Sequence, residues 1–177
     1  MRKLQIGVMG SAADLEYGKK ISDLAEQVGK LIGEADHITV YGAEKDYDSL
    51  STAAARGAKK VNGLTVGVTY GKGKNIYEKE FTDVIISSGL DRGGGREFVL
   101  VNSCDVLIAI SGGSGTLTEI AIAYQSNIPV IVLSGTGGWA DKLDNTYLDA
   151  RDRLKILGAK TPEEAVSLAI VEANKRL

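Results

Sequence analysis

Short apolar runs recur along the chain, and each is followed within two residues by a glycine or a serine. The runs are rich in β-branched residues and are too short for helices, which is the pattern of buried strands. The pattern predicts six strands, at Leu4–Met9, His37–Tyr41, Leu64–Tyr70, Asp83–Ser87, Asp105–Ile110 and Pro129–Leu133, and a possible short edge strand at Lys155–Leu157.

Segments with apolar residues at helical spacing separate these runs. They predict a helix that includes Ile21–Ile32 and stops at Gly33, and further helices at Ser49–Val61, Arg96–Ser103 and Leu117–Ser126. Trp139–Leu143 begins either a helix or an irregular cover, and a last helix follows Thr161, where Thr-Pro-Glu-Glu is a helix-start signal. Strands that alternate with helices predict an α/β protein, with a parallel sheet of six or seven strands and helices on both faces.

Length and charge limit the classes of function. With 177 residues, the chain is expected to form a single domain over residues 1–177. Its 21 Lys and Arg residues against 23 Asp and Glu residues give a net charge of −2, so no basic surface favours a nucleic-acid partner. The apolar runs are far shorter than a membrane span, so we expect no membrane association.

Cysteine and histidine usage narrows the chemistry further. The chain has one cysteine, Cys104, and one histidine, His37, which excludes an intramolecular disulfide and a Cys/His zinc site. We predict no metal site. The basic start Met1–Lys3 is followed by an apolar run that is too short and too polar for a secretion signal. We therefore expect a cytoplasmic protein.

The glycine loops follow the predicted strands, so they meet at the carboxyl edge of the sheet. The most glycine-rich of them, Ser111–Thr116, opens a helix, where successive backbone N–H groups and the helix dipole favour a bound phosphate. The loop does not match the dinucleotide fingerprint G-x-G-x-x-G, and the chain has no G-x-x-x-x-G-K-S/T motif. The predicted phosphate-binding residues are Gly112, Gly113, Ser114, Gly115 and Thr116, with Gly10 and Ser11 from the first turn.

Two charged residues near these loops each have two interpretations. Glu119 either forms a capping box with Thr116, or places a carboxylate beside the phosphate, where it orients water or stabilises charge developing on a sugar. Arg96 either forms a surface ion pair, or acts as a fork for a phosphate or for the polar edge of a nucleotide. Arg92 is expected at the surface.

The glycine loop and Arg96 together resemble a known family. Ser111–Glu119 resembles the P-G-G-x-G-T-x-x-E signature of the Lonely Guy phosphoribohydrolases, long mislabelled lysine decarboxylases, and Arg96 stands nine residues before Asp105, as in that family. Val8–Ala12 is similar to the family's first ligand loop. The nearest branch includes the molybdenum cofactor carrier protein. The resemblance implies a Rossmann-like fold, a homodimer or higher homo-oligomer with sites near the interface, and a nucleoside 5′-monophosphate-like ligand.

The resemblance also assigns roles to residues. By position, Arg96 and Glu119 match the catalytic pair that cleaves an N-glycosidic bond to release base and ribose 5-phosphate, and no cofactor is required for that hydrolysis. Lysine decarboxylase is disfavoured, because pyridoxal phosphate chemistry needs a lysine at the site and Ser111–Glu119 contains none.

The chain departs from the family at two places. Ser111 stands where the signature has proline, and we expect only a small change in loop stiffness. Gly42–Asp48 stands where the family has G-G-x-x-G-x-M-G, a loop that shapes the nucleoside pocket. Two hypotheses stay open: an N-glycosidase, which the Arg96 and Glu119 pair favours, and a non-catalytic carrier of a nucleotide or of the molybdenum cofactor, which the altered loop favours.

Overall fold

A computed structural model describes residues 2–93 and 95–176, except for the side chain of Asp14. These residues form one seven-stranded sheet in which all neighbouring strands are parallel, in the order β4-β3-β2-β1-β5-β6-β7. The strands are β1 (Gln5–Gly10), β2 (Ile38–Gly42), β3 (Leu64–Thr69), β4 (Val84–Ser87), β5 (Val106–Ile110), β6 (Val130–Leu133) and β7 (Leu157–Ala159).

In the described part of the chain, six α-helices cover the two faces of the sheet. They are α1 (Gly18–Glu34), α2 (Leu50–Lys59), α3 (Gly95–Asn102), α4 (Ser114–Gln125), α5 (Gly138–Lys142) and α6 (Pro162–Asn174). One apolar core joins the sheet to α1, α2 and α6, and a second joins the other face to α3, α4 and α5. The predicted α/β Rossmann-like fold is therefore confirmed.

Most predicted elements lie within one or two residues of their observed positions, and two predictions are wrong in detail. The edge strand β7 covers Leu157–Ala159, because Lys155 makes an antiparallel bridge with Tyr147 before the strand begins. Helix α4 begins at Ser114, three residues earlier than predicted. The predicted start of α6 is confirmed, since the Thr161 side chain accepts a hydrogen bond from the Glu164 N–H and Pro162 is the first helical residue.

The strand order places two loops side by side. The order reverses between β1 and β5, so the turn after β1 and the glycine loop after β5 are neighbours at the carboxyl edge. Open parallel sheets bind ligands at such a reversal. None of the helices in the described part of the chain is long and apolar enough to span a membrane.

Candidate functional site

A cavity of about 390 Å³ opens at this reversal, a size typical of small-molecule sites. Its walls are the ends of β1 and β2, the loops that follow them, the loop before α3, and the first turns of α3 and α4. The predicted site residues Arg96 and Glu119 both line it, as do Gly10, Ser11 and Gly113–Thr116. Loops that are distant in sequence thus form one site.

The N-terminus of α4 points open backbone groups at the cavity. The residue before the helix, Gly113, has an extended conformation, with φ −93° and ψ −154°, and no side chain of the described residues caps the helix. The first helical N–H groups have no acceptor within their own helix. Ser114 and Gly115 are exposed and line the cavity. These N–H groups, with the positive end of the helix dipole, form an anion-binding arrangement.

Of the two interpretations of Glu119, the capping box with Thr116 is wrong. Thr116 is the third residue of α4, so it lies inside the helix that it was expected to cap. Glycine at the N-cap favours this earlier start, because it accepts the extended backbone at little cost. Glu119 is consequently in the second helical turn and lines the cavity.

Hydroxyl groups of two neighbouring loops form hydrogen bonds with the glycine loop and hold it in place. The Ser11 Oγ accepts a hydrogen bond from the Gly112 N–H at 2.9 Å and donates to the Ser111 Oγ at 3.1 Å. The Thr136 Oγ1 accepts from the Ser111 N–H at 2.8 Å. The Gly112 N–H is therefore bonded to Ser11 and is not available to a ligand, unlike the open N–H groups at the start of α4. The hydrogen bonds with Ser11 and Thr136 fix the position of the loop.

The end of β1 and the start of α5 complete this support. Gly10 lies against β5, where a Cβ would come within 2.8 Å of the Ile110 carbonyl oxygen. From the first residues of α5, the Trp139 N–H donates to the Gly112 carbonyl at 3.0 Å and the Ala140 N–H donates to the Ser111 carbonyl at 2.9 Å. The glycine loop is thus held from both of its edges.

The expected effect of serine for proline at position 111 is also wrong. Ser111 has φ +55°, in the left-handed region, whereas proline is fixed near −65°. Its N–H is also a hydrogen-bond donor, which proline lacks. The substitution therefore accompanies a different backbone conformation rather than a change in stiffness.

Arg96 is buried in an ion-pair cluster at the other end of the cavity. Its side chain is 7% exposed, and its Nη2 lies 3.1 Å from the Glu97 Oε1 and 3.4 Å from the Glu44 Oε1. The predicted ion pair is present, but it is buried rather than on the surface. The Nη1 is buried and has no hydrogen-bond partner among the described residues. Gly42 makes room for it, since a methyl group there would overlap the Nη1.

Glu119 faces this cluster from α4. It is 6% exposed, and within the described residues no group donates a hydrogen bond to its carboxyl. Burial raises the pKa of Glu119 to about 8, opposed by the charge of Arg96 and assisted by the charges of Glu97 and Glu44. The carboxyl is therefore largely protonated at neutral pH, as a group able to donate a proton should be.

Comparison with known proteins agrees with this architecture. The model of the SLOG cluster4 family matches residues 3–166, which is most of the chain. The chain belongs to the SLOG cluster4 family. An uncharacterised protein of Archaeoglobus fulgidus is 32% identical to this SLOG cluster4 chain over 181 residues, covering 99% of the chain and all of the relative.

Solved structures add information on ligands. The molybdenum cofactor binding protein from Rippkaea orientalis is 30% identical, with a TM-score of 0.79 and coverage of 97% of this chain and 98% of that one. The molybdenum cofactor carrier protein from Chlamydomonas reinhardtii is 27% identical, with a TM-score of 0.81 and coverage of 98% and 99%. The SLOG cluster4 protein is thus similar over its whole length to two proteins named for this cofactor.

Glu44, Tyr47 and Arg92 line the cavity and were not among the predicted site residues. Arg92 is half-exposed, as expected for a surface residue, but it lines the cavity and donates to the Glu44 Oε2 at 2.8 Å and the Tyr70 hydroxyl at 2.7 Å. Its guanidinium also lies over the rings of Tyr70 and Tyr47, at 4.6 and 5.6 Å. The signal in the sequence was that Gly42–Asp48 follows a strand at the ligand edge and is polar.

Proposed function

We propose that the cavity binds a heterocyclic compound through a phosphate monoester, and that the protein acts as a binding or carrier protein for this ligand. The observation that carries the proposal is the open N-terminus of α4, with Gly113 as its N-cap and no side-chain cap, facing a cavity that also holds Arg96. A phosphate is the anion that this arrangement favours.

The molybdenum cofactor is the specific ligand that we propose. It is a pterin compound with a phosphate ester, so it presents an anion and a ring with hydrogen-bond donors and acceptors. The residues present fit both parts: the N–H groups at Ser114 and Gly115 suit the phosphate, and the carboxyl groups of Glu44 and Glu119 suit ring N–H donors. The similarity to the proteins of R. orientalis and C. reinhardtii supports this choice.

Hydrolysis of a nucleoside 5′-monophosphate is the second candidate, and the protonated Glu119 beside Arg96 favours it. In this reaction the Glu119 carboxyl donates its proton to the leaving base as the glycosidic C–N bond breaks. The resulting carboxylate then takes a proton from the water whose oxygen bonds to the sugar carbon. The products are free base and ribose 5-phosphate, and the carboxyl returns to its starting state.

Substitution of Ser114 tests the phosphate site. Ser114 is the first residue of α4 and follows an extended residue, so proline is compatible with the backbone there and removes only one N–H group. We expect Ser114→Pro to weaken binding of inorganic phosphate by about tenfold or more, because one charge-assisted hydrogen bond is lost. Ser114→Ala keeps the N–H and should bind as the wild type does. Equal affinities for all three proteins, measured by calorimetry, would contradict the phosphate site.

A ligand and turnover assay separates the two candidates. The purified protein is analysed for bound pterin and phosphate, and separately incubated with a panel of nucleoside monophosphates while free base is measured. A carrier retains pterin and releases no base. A hydrolase releases base from at least one nucleotide, and Glu119→Gln abolishes the release.

A further inference from the structure

Glu44 joins the two arginines of the cavity. It lies in the loop after β2, within the stretch that departs from the Lonely Guy motif, and its side chain is 12% exposed. One carboxylate oxygen, Oε2, is 2.8 Å from the Arg92 Nη2, and the other, Oε1, is 3.4 Å from the Arg96 Nη2. Each oxygen of this single carboxylate therefore forms an ion pair with a different guanidinium.

The charge at this end of the cavity is consequently not positive. Two guanidinium groups, of Arg92 and Arg96, lie with three carboxyl groups, of Glu44, Glu97 and Glu119. The sum is zero with a protonated Glu119 and −1 with an ionised one. The opposite end, at the start of α4, has uncapped N–H groups and no acidic residue in its first turn. The end of the cavity at the start of α4 thus suits an anion, and the end that contains the two arginines does not.

We propose that Glu44 is a specificity-determining residue that restricts the arginine end of the cavity to an uncharged ring, while the phosphate of the ligand binds at α4. The inference rests on the proposed phosphate site and adds the class of ring that the site accepts. Without Glu44, Arg92 and Arg96 would form a pair of forks suited to a second anion. With Glu44 in place, a second anion must displace a carboxylate and then lie close to it.

An uncharged ring has no such penalty at this end. Ring N–H groups donate to carboxylates, and the carboxyl of Glu119 has no donor in the described structure. The half-exposed guanidinium of Arg92 and the ring of Tyr47 add flat surfaces at the cavity wall, which suit a planar heterocycle.

Uridine 5′-monophosphate and orotidine 5′-monophosphate provide a matched pair of probes. They share the sugar phosphate, and the second differs by a carboxylate on the ring. We expect the wild type to bind the uridine nucleotide at least tenfold more tightly. Glu44→Gln should tighten the orotidine nucleotide about tenfold and leave the uridine nucleotide within about twofold, so the selectivity ratio falls by about a factor of ten.

Two further variants serve as controls. Glu44→Asp keeps the charge and should retain most of the selectivity. Glu78→Gln removes a carboxylate that pairs with an arginine away from the cavity, Arg56, and should leave the ratio unchanged. Thermal unfolding of each variant shows whether it is folded.

The outcomes separate this inference from the proposed function. Wild-type protein that binds the two nucleotides equally, or neither more tightly than inorganic phosphate, overturns the role of Glu44 whatever the variants do. An unchanged ratio in a folded Glu44→Gln protein also overturns it, while the phosphate site stands. Absence of binding by inorganic phosphate and by both nucleotides overturns the proposed function and the inference together.

Discussion

Glu119 is a carboxyl group whose position suits chemistry better than stability. It is buried and receives no hydrogen bond from the part of the chain that the structure describes, so its ionised form is disfavoured. The charged groups that face it are Arg96 and Glu97 from α3 and Glu44 from the loop after β2. A residue placed only for helix stability would not need this burial.

The first prediction concerns the pH dependence of stability. The pKa of Glu119 rises from an ordinary value of 4.5 to about 8 on folding, so the folded state binds the proton more tightly. The associated stabilisation is complete below about pH 4.5 and is lost as the pH rises to about 8. Between these limits we expect the wild type to lose roughly a few kcal/mol of unfolding free energy relative to Glu119→Gln. Urea denaturation over this pH range measures the difference, and parallel curves would contradict the prediction.

The second prediction concerns Ser111. Ser111→Pro imposes a φ that is incompatible with the observed +55° and removes the N–H bound to Thr136. We expect a loss of about 3 kcal/mol or more in unfolding free energy. Ser111→Gly accepts positive φ and keeps the N–H, so it should stay within about 1 kcal/mol of the wild type. A proline variant as stable as the wild type in urea denaturation would refute this account of the loop.

At the residue scale, the sequence was informative where a motif or a spacing could be compared with the family. Glu119 ends the nonapeptide Ser111–Glu119 and Arg96 stands nine residues before Asp105. The structure places both residues at the cavity, and their catalytic roles stay predictions. Glu44 and Arg92 could not be found in this way, because their partnership joins two loops that are 48 residues apart. No periodic pattern within either loop predicts that these two side chains are in contact.

At the scale of elements, the glycine loop and α5 form one unit. The loop carbonyls accept from the first N–H groups of α5, and the Thr136 hydroxyl links the loop to the end of β6 by donating to the Leu133 carbonyl at 2.6 Å. The start of α4 was predicted too late because Ser-Gly-Thr has low helical propensity. These contacts fix the loop and therefore the start of the helix. They join residues that are distant in the sequence, so the local sequence does not predict them.

The third prediction tests this unit. Thr136→Val keeps the shape of the side chain but leaves the buried Ser111 N–H without an acceptor. We expect a loss of about 1–3 kcal/mol in unfolding free energy, together with weaker binding of inorganic phosphate. Thr136→Ser retains the hydroxyl and should restore most of both. If valine changes neither quantity, the hydroxyl does not hold the loop.

At the scale of the whole molecule, the α/β fold was predictable because parallel strands buried on both faces read as short apolar runs. The regular alternation of runs and helical segments then left few topologies open. The order of strands at the cavity was not contained in that pattern. The chain passes from β4 at one edge of the sheet to β5, which pairs with β1 in the middle. Tertiary packing determines this pairing, and the local sequence pattern does not.

The fourth prediction concerns assembly, for which the family resemblance implies a homo-oligomer. We expect light scattering after gel filtration to give at least twice the 18.7 kDa mass of one chain. A homodimer with sites near its interface should also be stabilised by ligand, which shifts the equilibrium toward the bound assembly. A single-chain mass at micromolar concentration, with and without ligand, would refute this expectation.

The hydroxyl contacts under the glycine loop also have a kinetic consequence. Ser11 and Thr136 connect that loop by hydrogen bonds to the ends of β1 and β6, so we expect this wall of the cavity to move little. In the opposite wall, the ion pair of Glu44 and Arg92 joins two loops to each other. Ligand entry and escape should therefore depend on the lifetime of the Glu44–Arg92 ion pair, and the residence time of a bound compound should shorten when that pair is broken.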